Sequence, residues 1–206
     1  MGHYVIALDR QFGSGGREIG RKLSEYLGFA YYDQELISLA AERAEVREEL
    51  FAEKDETAAN PWLFKAFYQG GPKVKQGQAA EDVLFQMQSE IIRELAEKGD
   101  CIIVGRSAAH VLADMPGVKC LSLFICAPFA WRVQHRMELD GLSEKAAEAE
   151  VEKIDKQREK YYSHYTGNLW GLPENYDICI NSARLGIEQT AKLLAEHCRQ
   201  LFSREE

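Results

Sequence analysis

The chain has 206 residues, 46% hydrophobic and 28% charged, the proportions of a globular protein large enough for one well-buried core. Its formal charge of -8, from 25 Lys and Arg against 33 Asp and Glu, argues against a protein that works by gripping nucleic-acid backbone. No apolar run approaches the ~20 residues of a membrane span, the chain enters a strand without a basic-then-apolar leader, and five cysteines without a C-x-x-C pair predict reduced thiols, so the expectation is a cytoplasmic protein with no membrane partner.

Tyr4 to Leu8 is an apolar run that suits a strand buried on both faces. It leads into RQFGSGGREIGRKL, a glycine loop opening a helix from about Gly16 to Leu27, the local geometry that cradles a phosphate with backbone N–H groups and a helix N-terminus. Set on the pattern G-x-x-x-x-G-K-[ST], the loop has Arg10 at the first glycine, Gly16 at the lysine and Arg17 at the hydroxyl residue. Arg17 in the first helical turn opposes the macrodipole, at about 0.3 to 1 kcal/mol, unless an anion lies beside it. Residues 9 to 22 carry Arg10, Arg17, Arg21 and Lys22 against Asp9 and Glu18, whereas residues 45 to 56 are strongly acidic.

Phe29 to Tyr32 reads as a second strand and Asp33 as the N-cap of a helix carrying Leu36, Ile37, Leu39 and Ala40. From Glu45 to Gln78 the periodicity dissolves around Asn60-Pro61-Trp62 and Gly70-Gly71-Pro72, so a mobile insert is expected there. A helix from Ala80 to Lys98 precedes a third strand, Cys101 to Val104, ending in Gly105-Arg106. After a short helix through Val111 and Leu112 come a fourth strand, Cys120 to Cys126, and a helix started by Pro128 that carries Arg132 and Arg136. Ser143 caps a long helix to about His164, Thr166 to Asn175 is a loop, Asp177 to Ile180 a fifth strand, and Ile187, Ala191, Leu194, Cys198 and Leu201 stripe a last helix. Tyr161, Tyr162, Tyr165 and Trp170 read first as packing, and the five histidines show no metal-ligand spacing. Short strands alternating with helices predict one parallel sheet, with ligands beyond the carboxyl ends of its strands, where Asp9, Arg10, Asp33, Gly105 and Arg106 converge.

Five segments, RQFGSGGREIG at 10 to 20, FAYYDQELI at 29 to 37, CIIVGR at 101 to 106, KIDKQREKYY at 153 to 162 and YDICIN at 176 to 181, together resemble the cytidylate kinase-like proteins, relatives of the nucleoside monophosphate kinases, over nearly the whole chain. The resemblance implies a single α/β domain of P-loop kinase type: three layers, a five-stranded parallel sheet, a helical acceptor insert at about 45–78 and a lid at about 131–172. It implies ATP over Gly13, Ser14, Gly15, Gly16 and Arg17, with Mg2+ and a nucleoside monophosphate acceptor, CMP or dCMP foremost. By position, Asp33 matches the acid that holds the acceptor nucleoside and Arg106 the arginine that meets its phosphate, while Ser107 stands where the family segment has aspartate. Arg132, Arg136 and Asp155 fall with the lid and acceptor side, and Arg17 and Arg158 with the transferring phosphates. Ser14 and Asp9 are the oxygen groups nearest a possible metal, whose ligands the residues leave unassigned. A nucleotide-binding regulatory module without turnover and a kinase of a non-nucleotide metabolite fit the same residues, as does either a monomer or a homodimer.

Overall fold

The computed structural model describes residues 2–33 and 80–203, and in them five strands alternate with six α-helices. Strand β1 (His3–Arg10) leads through the glycine loop to α1 (Gly16–Leu27) and β2 (Ala30–Tyr32). The next described element is α2 (Ala80–Lys98), followed by β3 (Cys101–Val104), α3 (Ala108–Leu112), β4 (Val118–Cys126), α4 (Phe129–Asp140) and α5 (Glu144–Thr166). A 3-10 turn (Pro173–Asn175), β5 (Ile178–Asn181) and α6 (Ser182–Phe202) complete the chain.

All strands are parallel, in the order β2-β3-β1-β4-β5. Central β1 pairs Leu8 with Val104 on one side and Arg10 with Ile125 on the other. Successive side chains point to opposite faces, so Val5 and Ala7 join Ile91, Ile92, Leu95, Val111 and Leu112 of α2 and α3. Ile6 and Leu8 join Ile19, Leu23, Leu194 and Cys198 of α1 and α6. Each such buried aliphatic side chain contributes about 1.5–3 kcal/mol, and the two apolar interfaces bind the expected three layers. A third cluster, Val133, Ala147 and Val151 with Phe12, Met137 and Leu142, seats the α4–α5 pair beneath the glycine loop.

Several boundaries move, each for a local reason. β1 extends through Asp9 and Arg10 because both pair with β4. β5 begins after Asp177, whose carboxylate instead accepts from the Ser122 N–H at 2.7 Å and Oγ–H at 2.6 Å, and ends on Asn181, which caps α6 by accepting from the Ala183 N–H at 3.1 Å. Cys179 is exposed on this edge strand, and all five cysteines are free. Residues 131–172, expected as the lid, hold most of α4, all of α5 and the following loop. The helix expected after Asp33, the insert at 45–78 and its aromatics Trp62 to Tyr68 lie outside the described residues. Among the described residues no helix is long and apolar enough to cross a membrane.

Candidate active site

The glycine loop joins β1 to α1 at the carboxyl edge of the sheet. Gly13 (φ 79°) and Gly15 (φ 73°) hold left-handed conformations that side-chain-bearing residues rarely adopt. None of the backbone hydrogen bonds among the described residues takes up the amides of Gly13, Gly15, Gly16 or Arg17. Unsatisfied N–H groups at the positive end of a helix are an anion cradle. Ser14 contributes shape: its Oγ donates to the Gln11 carbonyl at 2.8 Å, and its own carbonyl accepts from Ser182 Oγ at 2.6 Å.

The loop is gripped from below by α4 and α5. Asp155 accepts from the Phe12 N–H at 2.7 Å, and Arg132 donates to the Phe12 carbonyl at 3.0 Å, while the two side chains meet at 2.5 Å. Arg132 also donates from Nε to the Ala127 carbonyl at 3.0 Å. These two residues, expected on the acceptor side, thus engage both polar groups of Phe12. Arg136 lies over the Phe12 ring, 4.5 Å from its centroid, and ion-pairs with Asp140.

At the same edge of the sheet gather Arg10 from β1, Arg17 from α1, Arg106 after β3 and Arg158 from α5. Asp33, just after β2, has Oδ1 3.5 Å from Arg10 Nη2 and Oδ2 2.6 Å from Arg17 Nε. The second contact is off the N–H axis and leaves Oδ2 without a hydrogen bond, so it is Coulombic only. Asp33 therefore supplies the counter-charge that Arg17 requires at a helix N-terminus. Arg158 Nη1 donates to the Arg10 carbonyl at 2.7 Å. Burial presses the Arg10 pKa down against the pull of Asp33 and Asp9, with a smaller push from neighbouring Arg106 and Arg17. Burial first, then Arg10, pushes Arg158 down to about 9. Guanidiniums remain ionised at neutral pH, so this crowding of positive charge is relieved by an incoming anion. Asp9, beneath them, has its carboxyl pKa raised by burial against the pull of Arg10 and Arg158, with the Tyr176 hydroxyl 3.4 Å away.

Arg106 (φ 61°) and Ser107 (φ 51°) continue a left-handed run begun by Gly105. Such a conformation costs about 1–2 kcal/mol for each residue bearing a Cβ, and strain of this kind collects at functional sites. The Arg106 guanidinium lies over the Tyr161 ring at 5.9 Å, and the Tyr161 hydroxyl donates to Gln88 Oε1 at 3.1 Å. Ser107 is 3% exposed, and its Oγ has no hydrogen-bond partner among the described residues. The remaining aromatics pack, Tyr165 against Phe85 at 3.9 Å and Trp170 against Phe124 at 5.3 Å.

The structure thus gathers Arg17, Asp33, Arg106 and Arg158 around Arg10 at the end of β1, and places Arg132, Asp155 and Arg136 around Phe12, over whose ring Arg158 also lies, 5.6 Å from the centroid. Two residues of the site, Arg10 and His135, were given no role from sequence, although Arg10 was placed at this edge. Arg10 is at its centre, and the signal was its position at the first glycine of the loop pattern. His135 carries its Nδ1 2.8 Å from the Gly13 carbonyl, to which it donates, and its Nε2 3.5 Å from Glu18. Its signal was the spacing with Arg132 and Arg136 on one face of a helix.

For magnesium the described residues are a poor fit: position 17 is arginine, Ser14 Oγ is turned inward, and no group of three His, Cys, Asp or Glu side chains is placed to hold an ion. The cradle and the arginines fit nucleotide phosphates.

Comparison with known proteins agrees with this geometry. The chain is 27% identical over 120 residues to the cytidylate kinase of Methanopyrus kandleri, covering 55% of this chain and 62% of that protein. It is 34% identical over 112 residues to the uronate isomerase of Corynebacterium glutamicum, but that match covers 54% of this chain and only 21% of the isomerase. The matched region thus spans less than two thirds of either relative. An uncharacterized protein from Eubacterium ventriosum superposes with a TM-score of 0.70 at 26% identity, covering 95% of this chain and 98% of that one. Shikimate kinase from Bacteroides thetaiotaomicron, with a TM-score of 0.53 at 14% identity and covering 95% and 98% of the two chains, shares the P-loop kinase fold alone. Residues 5–184 match the family model described as the cytidylate kinase-like family. With the strand order, the glycine loop and the family match in agreement, the chain belongs to the cytidylate kinase-like family.

Proposed function

We propose that this protein is a phosphotransferase that moves the γ-phosphoryl of ATP to a nucleoside monophosphate, CMP or dCMP foremost. What supports this reading is a cluster of guanidiniums, Arg10, Arg17, Arg106 and Arg158, gathered around Asp33 and the end of β1, where the chain runs on into loop amides of residues 13 and 15–17 that no backbone carbonyl among the described residues takes up. The amides hold donor phosphates; Arg17 and Arg158 face the transferring group; Asp33 and Arg106 serve the acceptor nucleoside and its phosphate. Arg132 and Asp155 act through Phe12 by fixing the loop, with Arg136 beside them.

An oxygen of the acceptor phosphate attacks the γ-phosphorus, and the bond from that phosphorus to the bridging oxygen breaks, its electron pair leaving on ADP. An ionised phosphate oxygen needs no general base. Charge spreads over the equatorial oxygens in the transition state, and forked guanidiniums in a partly buried site stabilise it there more than in the ground state. Magnesium accompanies ATP in the expectation drawn from the family. Arginine and backbone amides are this chain's own means of charge neutralisation.

A second reading, a non-nucleotide metabolite as acceptor, draws on Ser107, a small hydroxyl beside Arg106 where the family segment has a carboxylate. A coupled assay of ADP release over a panel of nucleoside monophosphates tests the proposal, with Arg158→Ala as control. Acceptor-dependent turnover with CMP or dCMP is expected. ATP binding by calorimetry with no turnover of any acceptor would point instead to a regulatory nucleotide-binding module, and turnover only with a hydroxylated metabolite to the second reading.

A further inference from the structure

The loop departs from G-x-x-x-x-G-K-[ST] at positions 10, 16 and 17, and the first two of these touch each other. Arginine stands at 10, where the pattern has glycine, and glycine stands at 16, where it has lysine. In the structure a Cβ built on Gly16 would lie 2.6 Å from Arg10 Cβ and 2.9 Å from Arg10 Cγ, distances that real side chains do not sustain. The Arg10 stem therefore fills the space from which a lysine at position 16 would start. Further out, Gly105, in a left-handed conformation at the end of β3, leaves room for the same side chain, since a Cβ there would collide with the Arg10 guanidinium. Its head is held by Asp33 at 3.5 Å, and its neighbours include Arg17 and Arg106. A long cation is thus threaded from the floor of the donor loop to the acceptor edge, between two glycines that make way for it.

We infer that Arg10 is a phosphate-contacting catalytic residue that replaces the P-loop lysine, a cation and a glycine having exchanged places within the loop. The inference rests on the phosphoryl-transfer reading above. The guanidinium meets the β- and γ-phosphate oxygens of the donor, on either side of the γ-phosphorus to bridging-oxygen bond that breaks during transfer. Asp33 is its counter-ion until phosphate arrives. The exchange accounts for an otherwise puzzling loss of the loop lysine in a chain that keeps the rest of the cradle.

The test is calorimetric titration of ADP and of AMP into the full chain, with turnover measured in parallel. Arg10→Met should weaken ADP binding by roughly 10- to 100-fold, the loss of one charge-assisted contact, while AMP affinity changes less than threefold. Gly16→Lys in the native background should lower the melting temperature, because its stem meets Arg10. The double variant Arg10→Gly/Gly16→Lys should fold and bind ADP at least tenfold more tightly than Arg10→Gly alone. Should Arg10→Met fail to fold with Asp33 left unbalanced, the double variant carries the test, since it restores a cation: ADP affinity within tenfold of wild type supports the exchange, and no measurable affinity overturns it. ADP affinity and turnover unchanged in Arg10→Met overturn the inference and leave the kinase reading intact. A wild-type protein that binds neither ADP nor ATP overturns both.

Discussion

At the scale of single residues, the site is held by side chains that each engage more than one group. Asp155 is the clearest, since it accepts from the Phe12 amide and from Arg132 at once. Asp155→Ala leaves a buried guanidinium and a loop N–H without their acceptor, and should destabilise the protein by about 3–5 kcal/mol, the range for breaking a buried pair on one side; chemical denaturation measures it. Arg106 presents the opposite balance. Its left-handed backbone is unfavourable for any residue but glycine, so Arg106→Gly should raise stability by about 1 kcal/mol while reducing acceptor-dependent turnover by at least about tenfold. A variant that lost stability and kept turnover would remove Arg106 from the site. Among these residues, charge at a strand end was legible in the sequence, as for Asp33 and Arg106. The pairing of Arg132 with Asp155 around one peptide was not, because it depends on how α4 and α5 cross beneath the loop, and neither helix periodicity nor charge encodes that crossing.

At the scale of elements, α6 and α1 cover one face of the sheet and carry the loop between them. Glu188 of α6 takes Lys22 of α1 at 2.6 Å and Lys192 at 3.2 Å, and accepts from the Tyr26 hydroxyl. The bond from Lys22, then that from Tyr26, holds its carboxyl at about 2, well below the ordinary value of 4.5. Because the folded state prefers the ionised form, this contribution is complete above pH 4.5 and is lost as pH falls toward 2. Glu188→Gln should therefore lower the melting temperature slightly across the neutral range and leave the acid end near pH 2 unchanged, flattening the limb between those limits. The helices and buried strands were legible because their apolar spacing is strong. The break in α6 at Gly186 (φ 75°, ψ 165°) was hidden by the apolar stripe that continues past it, from Ile187 onward. That break lies between Ser182, which holds the Ser14 carbonyl, and Ile187, which packs against Gly15.

At the scale of the whole molecule, the sheet order brings β1 between β3 and β4 and sets its carboxyl end, with Asp9, Arg10 and the glycine loop, beside the strained turn after β3. Parallel βαβ patterning made this edge predictable. Arg10 was placed at this edge but given no role, because a glycine pattern draws attention to what is missing at Gly16 and Arg17, whereas compensation from six residues earlier is visible only when the two backbones are placed together. The central claim is that oxyanions dock on the free amides of the loop under a roof of guanidiniums. An amide 1H–15N spectrum of the isotope-labelled chain, titrated with ADP, tests this most directly. Large, saturable shifts at Gly13, Gly15, Gly16 and Arg17 are the predicted result. Saturation of the protein with ADP while those four signals stay in place would contradict the account.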